Sequence, residues 1–488
     1  MADSRRFAER QMDKIEQVVV FQRKAIYFLL SIIFAFVVTF LVSDETFTQV
    51  QMYVLFTLLL AISLWVTEAI PPFAVGIFIV GFLIFLVGGA ADNTPDSPNY
   101  IDVSKFSNTW SNSVIWLLLG GFFLAEGLKK TKLDKKLFLW TLKVFGTKPS
   151  NLLLGLMLAT AFGSMIMSNT AITAMMIAST MPIIVTLGKE APFAKALLLG
   201  IPAAASFGGL GTLIGSPPNI IAADFITNLG KTHGQQFQIG FLEWMIVGFP
   251  LAITLVLLFW FFLQKFYTAK VKVVDLSFAQ VDEAEEDANF VVYKFKRRIT
   301  IGVLIATILL WLTGSLHGIP PAVISGIPIV VLTMVGVVNS DDVRSLPWDT
   351  LMLVAGGLSL GLAIQQSGLA GHFSDVFSTL VMSDLVMIAL FALTTVIMSN
   401  FMSNTAAVTI LLPVASVLPI DNFAVLGLTV GLSAACALMF PVSTPPNAIA
   451  YSTGFLTTKD FRKGGLIFGL GGPVLILLWV FVSYLIIR

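Results

Sequence analysis

The chain has 488 residues, of which 57% are hydrophobic and 12% are charged. A soluble domain has about 45–50% apolar residues, so this composition excludes an ordinary soluble protein and indicates a polytopic membrane protein surrounded by lipid. The formal net charge of +1 gives no reason to expect a nucleic-acid partner, and the single cysteine, Cys436, excludes an intrachain disulfide.

Hydrophobic segments long enough to cross a hydrocarbon core of about 30 Å recur from residue 25 onward. The first follows a segment of mixed charge and lacks a small-residue cleavage pattern, so we expect it to be retained as a span. We predict an all-α polytopic membrane protein with 11 transmembrane helices. Their approximate ranges are 25–43, 49–69, 73–90, 112–128, 193–226, 240–265, 299–314, 320–338, 348–365, 423–453 and 464–487.

Two further apolar segments, 150–187 and 384–419, are too long for a single span and carry the triplet Ser-Asn-Thr near the middle. Unpaired backbone groups are costly in hydrocarbon, so irregular backbone at this depth is stable only inside the protein or beside a cavity. We therefore predict that both segments are re-entrant hairpins whose polar tips border a cavity.

The distribution of basic residues predicts the orientation of the spans. With the N-terminus in the cytoplasm, a lysine-rich stretch after the fourth span and the linker 266–298 are cytoplasmic, whereas segment 366–383 is outside and has no Lys or Arg. The lysines of that stretch are Lys129, Lys130, Lys132, Lys135, Lys136, Lys143 and Lys148. This asymmetry follows the positive-inside rule and places the C-terminus outside the cell membrane. We expect the acidic run 282–287 to be a solvated part of the linker.

An internal repeat organises the chain. Three landmarks occur twice in the same order: a Gly pair, a Ser-Asn-Thr triplet and a Pro-Pro-Asn sequence. They lie at 120–121 and 356–357, at 168–170 and 403–405, and at 217–219 and 445–447. We predict an N-terminal segment with the first span (1–48), repeat 1 (49–265), the linker (266–298) and repeat 2 (299–488). Five spans per repeat invert the second copy, and inverted repeats build secondary transporters whose site lies where interrupted helices meet at the midplane.

The repeated sequences also predict the chemistry of the site. Ser and Asn are preferred N-caps, so the helices resuming at Ala171 and Ala406 direct free N–H groups toward the tips. Ser216 and Thr444 precede Pro-Pro, which suits the first turn of another half-helix. Four helix N-termini, each carrying roughly half a positive charge, favour an anion, and the hydroxyl, amide and carbonyl oxygens beside them can coordinate Na+.

At these residues the sequence resembles the divalent anion/sodium symporters, which carry dicarboxylates and citrate, from about residue 25 to the end. The resemblance implies a homodimer in which a scaffold (1–149 and 299–383) holds a moving, elevator-like transport domain. It implies substrate contacts from the tips and the Pro-Pro-Asn segments. These residues are Ser168, Asn169, Thr170, Ser403, Asn404, Thr405, Ser216, Pro217, Thr444 and Pro445.

The resemblance further implies two Na+ sites, one at each tip. The first would use Ser164, Ser168, Asn169 and Gly215, and the second would use Ser399, Asn404, Ser443 and Pro445. Typical sodium symporters of the family carry Thr and Ala in place of Ser399 and Ser443. Because the family also contains sodium-independent exchangers, the difference leaves both modes of coupling open.

The polar segments contain no Lys, Arg, Asp or Glu. Helix ends or bound cations must therefore balance a dicarboxylate, and proton symport, which usually needs an intramembrane ionisable group, is disfavoured. We predict a carrier of C4/C5 dicarboxylates such as succinate, malate, fumarate or 2-oxoglutarate that works by exchange. Sodium-coupled dicarboxylate or citrate symport is the alternative, and an anion channel is a remote one. The three histidines, His233, His317 and His372, lie near predicted loops and form no catalytic set, so we expect no enzyme.

Overall fold

A computed structural model describes residues 2–97, 100–232, 239–269, 271–274, 290–371, 382–418, 420 and 422–487. These residues form α-helices joined by turns and short 3-10 segments, with no strand among them, which confirms the all-α fold. His233, His372 and the acidic run 282–287 lie outside this part of the chain.

The predicted first repeat and the segment before it contain α1 to α11, and the predicted second repeat begins at residue 299, within α12. The helices of the first half are α1 (Ala2–Val42), α2 (Gln49–Thr67), α3 (Pro72–Gly88), α4 (Ser104–Ser107), α5 (Ser113–Lys130), α6 (Leu133–Phe145), α7 (Pro149–Ser164), α8 (Asn169–Leu187), α9 (Pro192–Gly208), α10 (Pro217–Thr232) and α11 (Phe241–Phe266). The helices of the second half are α12 (Phe290–Leu312), α13 (Gly314–His317), α14 (Pro321–Ile324), α15 (Gly326–Met334), α16 (Ser340–Arg344), α17 (Trp348–Gln366), α18 (Asp384–Ser399), α19 (Asn404–Ala415), α20 (Phe423–Ser433), α21 (Pro445–Ser452) and α22 (Thr458–Ile487).

Eight helical segments in the described ranges are long and apolar enough to cross a membrane, and further apolar helices are shorter. The count of 11 spans and the division into domains therefore stay predictions. Segments 193–226 and 423–453, predicted as spans, are each two helices separated by a break. Helix α12 begins at Phe290, earlier than predicted. It runs through the basic residues KFKRR, which belong to the predicted linker.

The two predicted hairpins are present as helix pairs. Helices α7 and α8 meet at a turn after Ser164, and α18 and α19 meet at a turn after Ser399. In both cases the second helix begins at the asparagine of the Ser-Asn-Thr triplet, because the preceding serine caps it. The sequence therefore positions the two tips directly.

The chain forms two compact units. One comprises Met1–Trp110, Met352–Leu380 and Ser416–Pro419, and the other comprises Ser111–Leu351, Val381–Ala415 and Ile420–Arg488. In the first unit α3 packs closely against α17, where the backbones at Gly76 and Gly356 touch. A side chain at either position would overlap the facing backbone, so glycine is needed for this approach.

The second unit contains the matching contact of the other repeat. Gly120 on α5 faces Ser325 beside α14, and a Cβ atom at Gly120 would lie 2.5 Å from the Ser325 Cβ atom. The indole of Trp311 donates to the Pro321 carbonyl at 3.1 Å, as Trp65 donates to Pro72 at 3.1 Å within the first unit. These matched contacts support the internal repeat.

Both hairpins and both broken helices belong to the second unit. Its most buried candidate span is Pro192–Gly211, in which 94% of the apolar 18-residue window is buried. The half-helices cross between the repeats: α10 packs along α19 and α20, and α21 packs against α8 and α9. Gly427 and Gly431 on α20 lie opposite Ile226 and Ala222 on α10, so the absence of side chains permits the close approach. Half-helices from different repeats are thereby packed against each other.

Candidate functional site

The first tip, residues 164–170, ends one helix and begins the next. Ser168 has extended backbone, and its hydroxyl accepts a hydrogen bond from the Ala171 N–H at 3.2 Å. Asn169 begins α8, and the side chains of Ser168 and Thr170 are exposed. The tip therefore presents polar side chains and the N-terminal end of a helix.

Oxygen atoms converge behind the first tip. The Ser164 hydroxyl lies 2.6 Å from Asn169 Oδ1 and 2.7 Å from the Ala205 carbonyl oxygen. A Cβ atom at Gly215 would lie 2.6 Å from the Gly209 carbonyl oxygen and 3.1 Å from that of Ser164. This arrangement of hydroxyl, amide and carbonyl oxygens is the donor set that a small hard cation prefers.

The loop opposite the first tip, residues 209–219, is the first Pro-Pro-Asn loop. The hydroxyl of Thr212 donates to the Met165 carbonyl, which joins this loop to the tip. Asn219 is fully buried, and its Nδ2 donates to the carbonyls of Gly209 at 2.7 Å and Thr212 at 2.8 Å. Asn219 Oδ1 is buried without a hydrogen-bond partner in the described part of the chain. The asparagine of Pro-Pro-Asn thus fixes the loop and leaves one acceptor free.

The second tip, residues 399–405, repeats the helix-capping geometry. The Ser403 hydroxyl accepts from the Ala406 N–H at 3.1 Å, and Asn404 begins α19. Ser399 is fully buried, and neither its hydroxyl nor Asn404 Oδ1 has a hydrogen-bond partner among the described residues. Two oxygen atoms of this tip are therefore available to a ligand.

The second Pro-Pro-Asn loop, residues 437–447, differs from the first in its connections. Thr444 caps α21 by accepting from the Asn447 N–H at 3.3 Å, and Asn447 Nδ2 donates to the Phe440 carbonyl at 3.2 Å. The Ser443 hydroxyl donates to Asn400 Oδ1 at 2.8 Å and accepts from the Phe440 N–H at 3.0 Å. Ser443 is therefore engaged by the hairpin rather than free.

The residues predicted for the site differ in their positions and hydrogen bonds. Ser164, Asn169 and Gly215 lie together at the first tip, whereas the described hydrogen bond of Ser168 is that of a helix cap. Pro217 and Pro445 begin α10 and α21, as their positions in the sequence predict. Ser216 and Ser443 are buried. Asn219, Asn447 and Asn400 were not predicted as site residues, although the repeated Pro-Pro-Asn motif pointed to the first two.

The electrostatics of the site come from neutral groups. The two tips and the two loops contain no residue that is charged at neutral pH, so positive potential there comes from the N-terminal ends of α8, α10, α19 and α21. Such ends present free N–H groups and bind carboxylates and phosphates in many proteins. The arrangement can hold an anion between paired half-helices.

Comparison with known proteins agrees with this arrangement. The family model described as the sodium:sulfate symporter transmembrane region matches residues 22–487. The chain belongs to the divalent anion/sodium symporter family. Members of this family are multi-pass membrane transport proteins, so the protein is a transporter and not an enzyme.

Two curated relatives of the family cover most of the chain, and both are named sodium-dependent dicarboxylate transporter SdcS. The protein of Staphylococcus saprophyticus is 29% identical over 483 residues, which is 91% of this chain and 89% of its own length. The protein of Staphylococcus aureus strain USA300 is 30% identical over 468 residues, 88% of this chain and 85% of its own length.

A solved transporter structure has a fold similar to that of this chain. The YdaH transporter of Alcanivorax borkumensis has a TM-score of 0.55 at 12% identity, and the likeness covers 84% of this chain and 98% of that one. At this level of identity the likeness concerns the fold alone.

Proposed function

We propose that the protein is a secondary carrier of C4/C5 dicarboxylates of the succinate, malate, fumarate and 2-oxoglutarate class. The observation that carries the proposal is the crosswise pairing of four half-helices, α8 with α21 and α10 with α19, in a unit that also holds both polar tips. Their N-terminal ends suit a substrate with two carboxylates. The names of the two curated relatives support the same substrate class.

Asn169 and Asn404 are the proposed substrate contacts that can be tested most directly. Each begins a helix at a tip, so its amide lies beside the free N–H groups of the first turn. Asn169→Ala and Asn404→Ala should each abolish uptake of labelled succinate into proteoliposomes while the protein remains folded. Asn151→Ala, at an exposed position of α7, serves as the matched control and should transport normally. Uptake at the wild-type rate in either tip variant would refute the site.

We further propose that transport occurs by exchange. A carrier that exchanges must not cross the membrane when it is empty. Four helix ends facing an empty cavity are poorly solvated, so an anion between them is required for movement. Dicarboxylate inside the vesicle should then accelerate uptake strongly, and replacement of sodium by choline should change uptake little.

Sodium symport is the second candidate. The oxygen atoms that converge behind the first tip, together with the names of the relatives, favour it. Ser164, Asn169 and Gly215 would hold Na+ there, and the ion would supply positive charge beside the substrate. The deciding assay varies the sodium gradient and the internal dicarboxylate independently. Steep, sigmoidal stimulation by external sodium in vesicles free of dicarboxylate would overturn exchange.

The proposal includes an elevator-type movement of the hairpins and broken helices and a homodimeric assembly. The inverted repeat supports the first, because two copies of opposite orientation can adopt each other's arrangement. The mass of the purified protein in detergent, from light scattering, tests the second. A monomer with full activity would contradict the dimer.

A further inference from the structure

The two tips differ at one position that changes how each is joined to its loop. They read SMIMSNT from 164 to 170 and SNFMSNT from 399 to 405, so Met165 corresponds to Asn400. The loops read GLGTLIGSPPN and ALMFPVSTPPN, so Gly215 corresponds to Ser443. The second repeat thus has two hydrogen-bonding side chains, Asn400 and Ser443, where the first repeat has a methionine and a glycine.

The Asn400 amide connects the second hairpin to the second Pro-Pro-Asn loop. Its Nδ2 donates to the Val396 carbonyl at 2.8 Å, within the same helix. Its Oδ1 accepts from the Met439 N–H at 2.9 Å and from the Ser443 hydroxyl at 2.8 Å, both in the second Pro-Pro-Asn loop. An amide oxygen has two lone pairs, so Oδ1 is fully used. Asn400 is 6% exposed, which strengthens these bonds by excluding water.

The first tip has no counterpart of this amide. The Met165 side chain packs against Gly211, and the link to the loop comes from the Thr212 hydroxyl and the Met165 backbone carbonyl. Behind the first tip the Ser164 hydroxyl lies against Asn169 Oδ1 and the Ala205 carbonyl oxygen. At the second tip the Asn400 amide holds the Ser443 hydroxyl, whereas Gly215 at the corresponding position of the first repeat has no side chain to engage.

We propose that Asn400 is a positioning residue that replaces a second coupling cation. The inference rests on the proposed function and deepens it, because it explains how dicarboxylate is bound without sodium at this tip. A cation between hairpin and loop would bring their oxygens to one point, and the Asn400 amide makes the same junction with neutral hydrogen bonds. The junction holds Asn404 and the start of α21 in place before substrate binds, which lowers the ordering cost of binding.

Two substitutions of Asn400 test the proposal in opposite ways. Asn400→Met installs the residue of the first tip and removes the junction, so the KM for succinate in choline should rise by about tenfold while the maximal rate changes less than about twofold. Asn400→Asp keeps an acceptor for Met439 and Ser443 but adds a buried charge, which a bound cation neutralises. Its uptake should be about tenfold faster in sodium than in choline.

Matched controls separate this role from a general loss of packing. Asn151→Ala, at an exposed position of α7, should retain the wild-type KM and the wild-type response to sodium. Ser443→Gly should raise the KM less than Asn400→Met does, because the bond from the Met439 N–H remains. A purely structural role for Asn400 would lower the yield of folded protein without creating dependence on sodium.

A second readout separates failure of this proposal from failure of the proposed function. Wild type that carries no dicarboxylate under any ionic condition would refute the function alone. The thermal midpoint of purified protein in sodium and in choline then decides the role of Asn400. A sodium-specific rise in Asn400→Asp but not in wild type supports the proposal. An equal response of the two proteins, or sigmoidal sodium dependence of wild-type uptake, overturns it.

Discussion

Asn219 and Asn447 occupy matched places in the two Pro-Pro-Asn loops, yet the structure predicts unequal costs for their removal. Asn219 is fully buried and donates two short hydrogen bonds, at 2.7 and 2.8 Å, to loop carbonyls. Asn447 is 2% exposed and its side chain donates one longer bond, at 3.2 Å. Alanine at either position removes these side-chain bonds, and the carbonyls of Thr212 and Phe440 then keep only the backbone donors of Gly215 and Ser443.

The magnitude follows from the number of bonds lost. Each lost bond in a buried site costs about 1–2 kcal/mol, so Asn219→Ala should lower the free energy of unfolding by about 2–4 kcal/mol. The single bond of Asn447 is longer and half-buried, so Asn447→Ala should lower it by about 1 kcal/mol. The entropy of unfolding is about 2.1 cal/mol/K per residue, which for this chain corresponds to a fall of the thermal midpoint by about 2–4 °C and about 1 °C.

The assay is thermal unfolding of the purified variants in the same detergent, followed by loss of the monodisperse peak on size-exclusion chromatography. Asn151→Ala, at an exposed position, is the control and should leave the midpoint unchanged. A fall for Asn447→Ala that equals or exceeds the fall for Asn219→Ala would show that these hydrogen bonds do not determine the stability of the loops.

Two other predictions concern orientation and packing. In the predicted topology a cysteine at Lys136 should react with an impermeant thiol reagent only from the cytoplasm and one at Ser367 only from outside; reaction of both from one side would remove the inverted orientation. Gly120→Val should sharply reduce the yield of folded protein because its Cβ would lie 2.5 Å from the Ser325 side chain. Gly302→Ala, whose Cβ would have no atom within 4 Å, should leave the yield unchanged or raise it. Equal yields of the two variants would contradict the close packing at Gly120.

The parts of the site that the sequence predicted are those that depend on local chemistry. Serine before Asn169 and Asn404, and Pro-Pro within an apolar segment, favour the start of a new helix. The hairpins and broken helices could therefore be located without coordinates. The same reasoning explains why Ser168 and Ser403 cap the helices that follow them.

The parts that the sequence did not predict depend on the path of the chain between distant segments. Asn400 differs visibly from Met165, but its partners at Met439 and Ser443 are 39 and 43 residues away and become neighbours only when the hairpin meets the loop. The acceptors of Asn219 are likewise set by the curvature of its loop. The hydrophobic pattern of a sequence and the helix propensities of its residues do not show which distant side chains come into contact.

The crosswise packing of the half-helices has a consequence for biosynthesis. Helix α10 leaves the ribosome long before α20, the helix that receives it at Gly427 and Gly431. Until α20 is made, the face of α10 that carries Ala222 and Ile226 lacks its packing partner, so the first half of the chain cannot complete its structure during translation. The two halves, expressed as separate polypeptides, should each be degraded alone and should rescue one another when made together in the same cell.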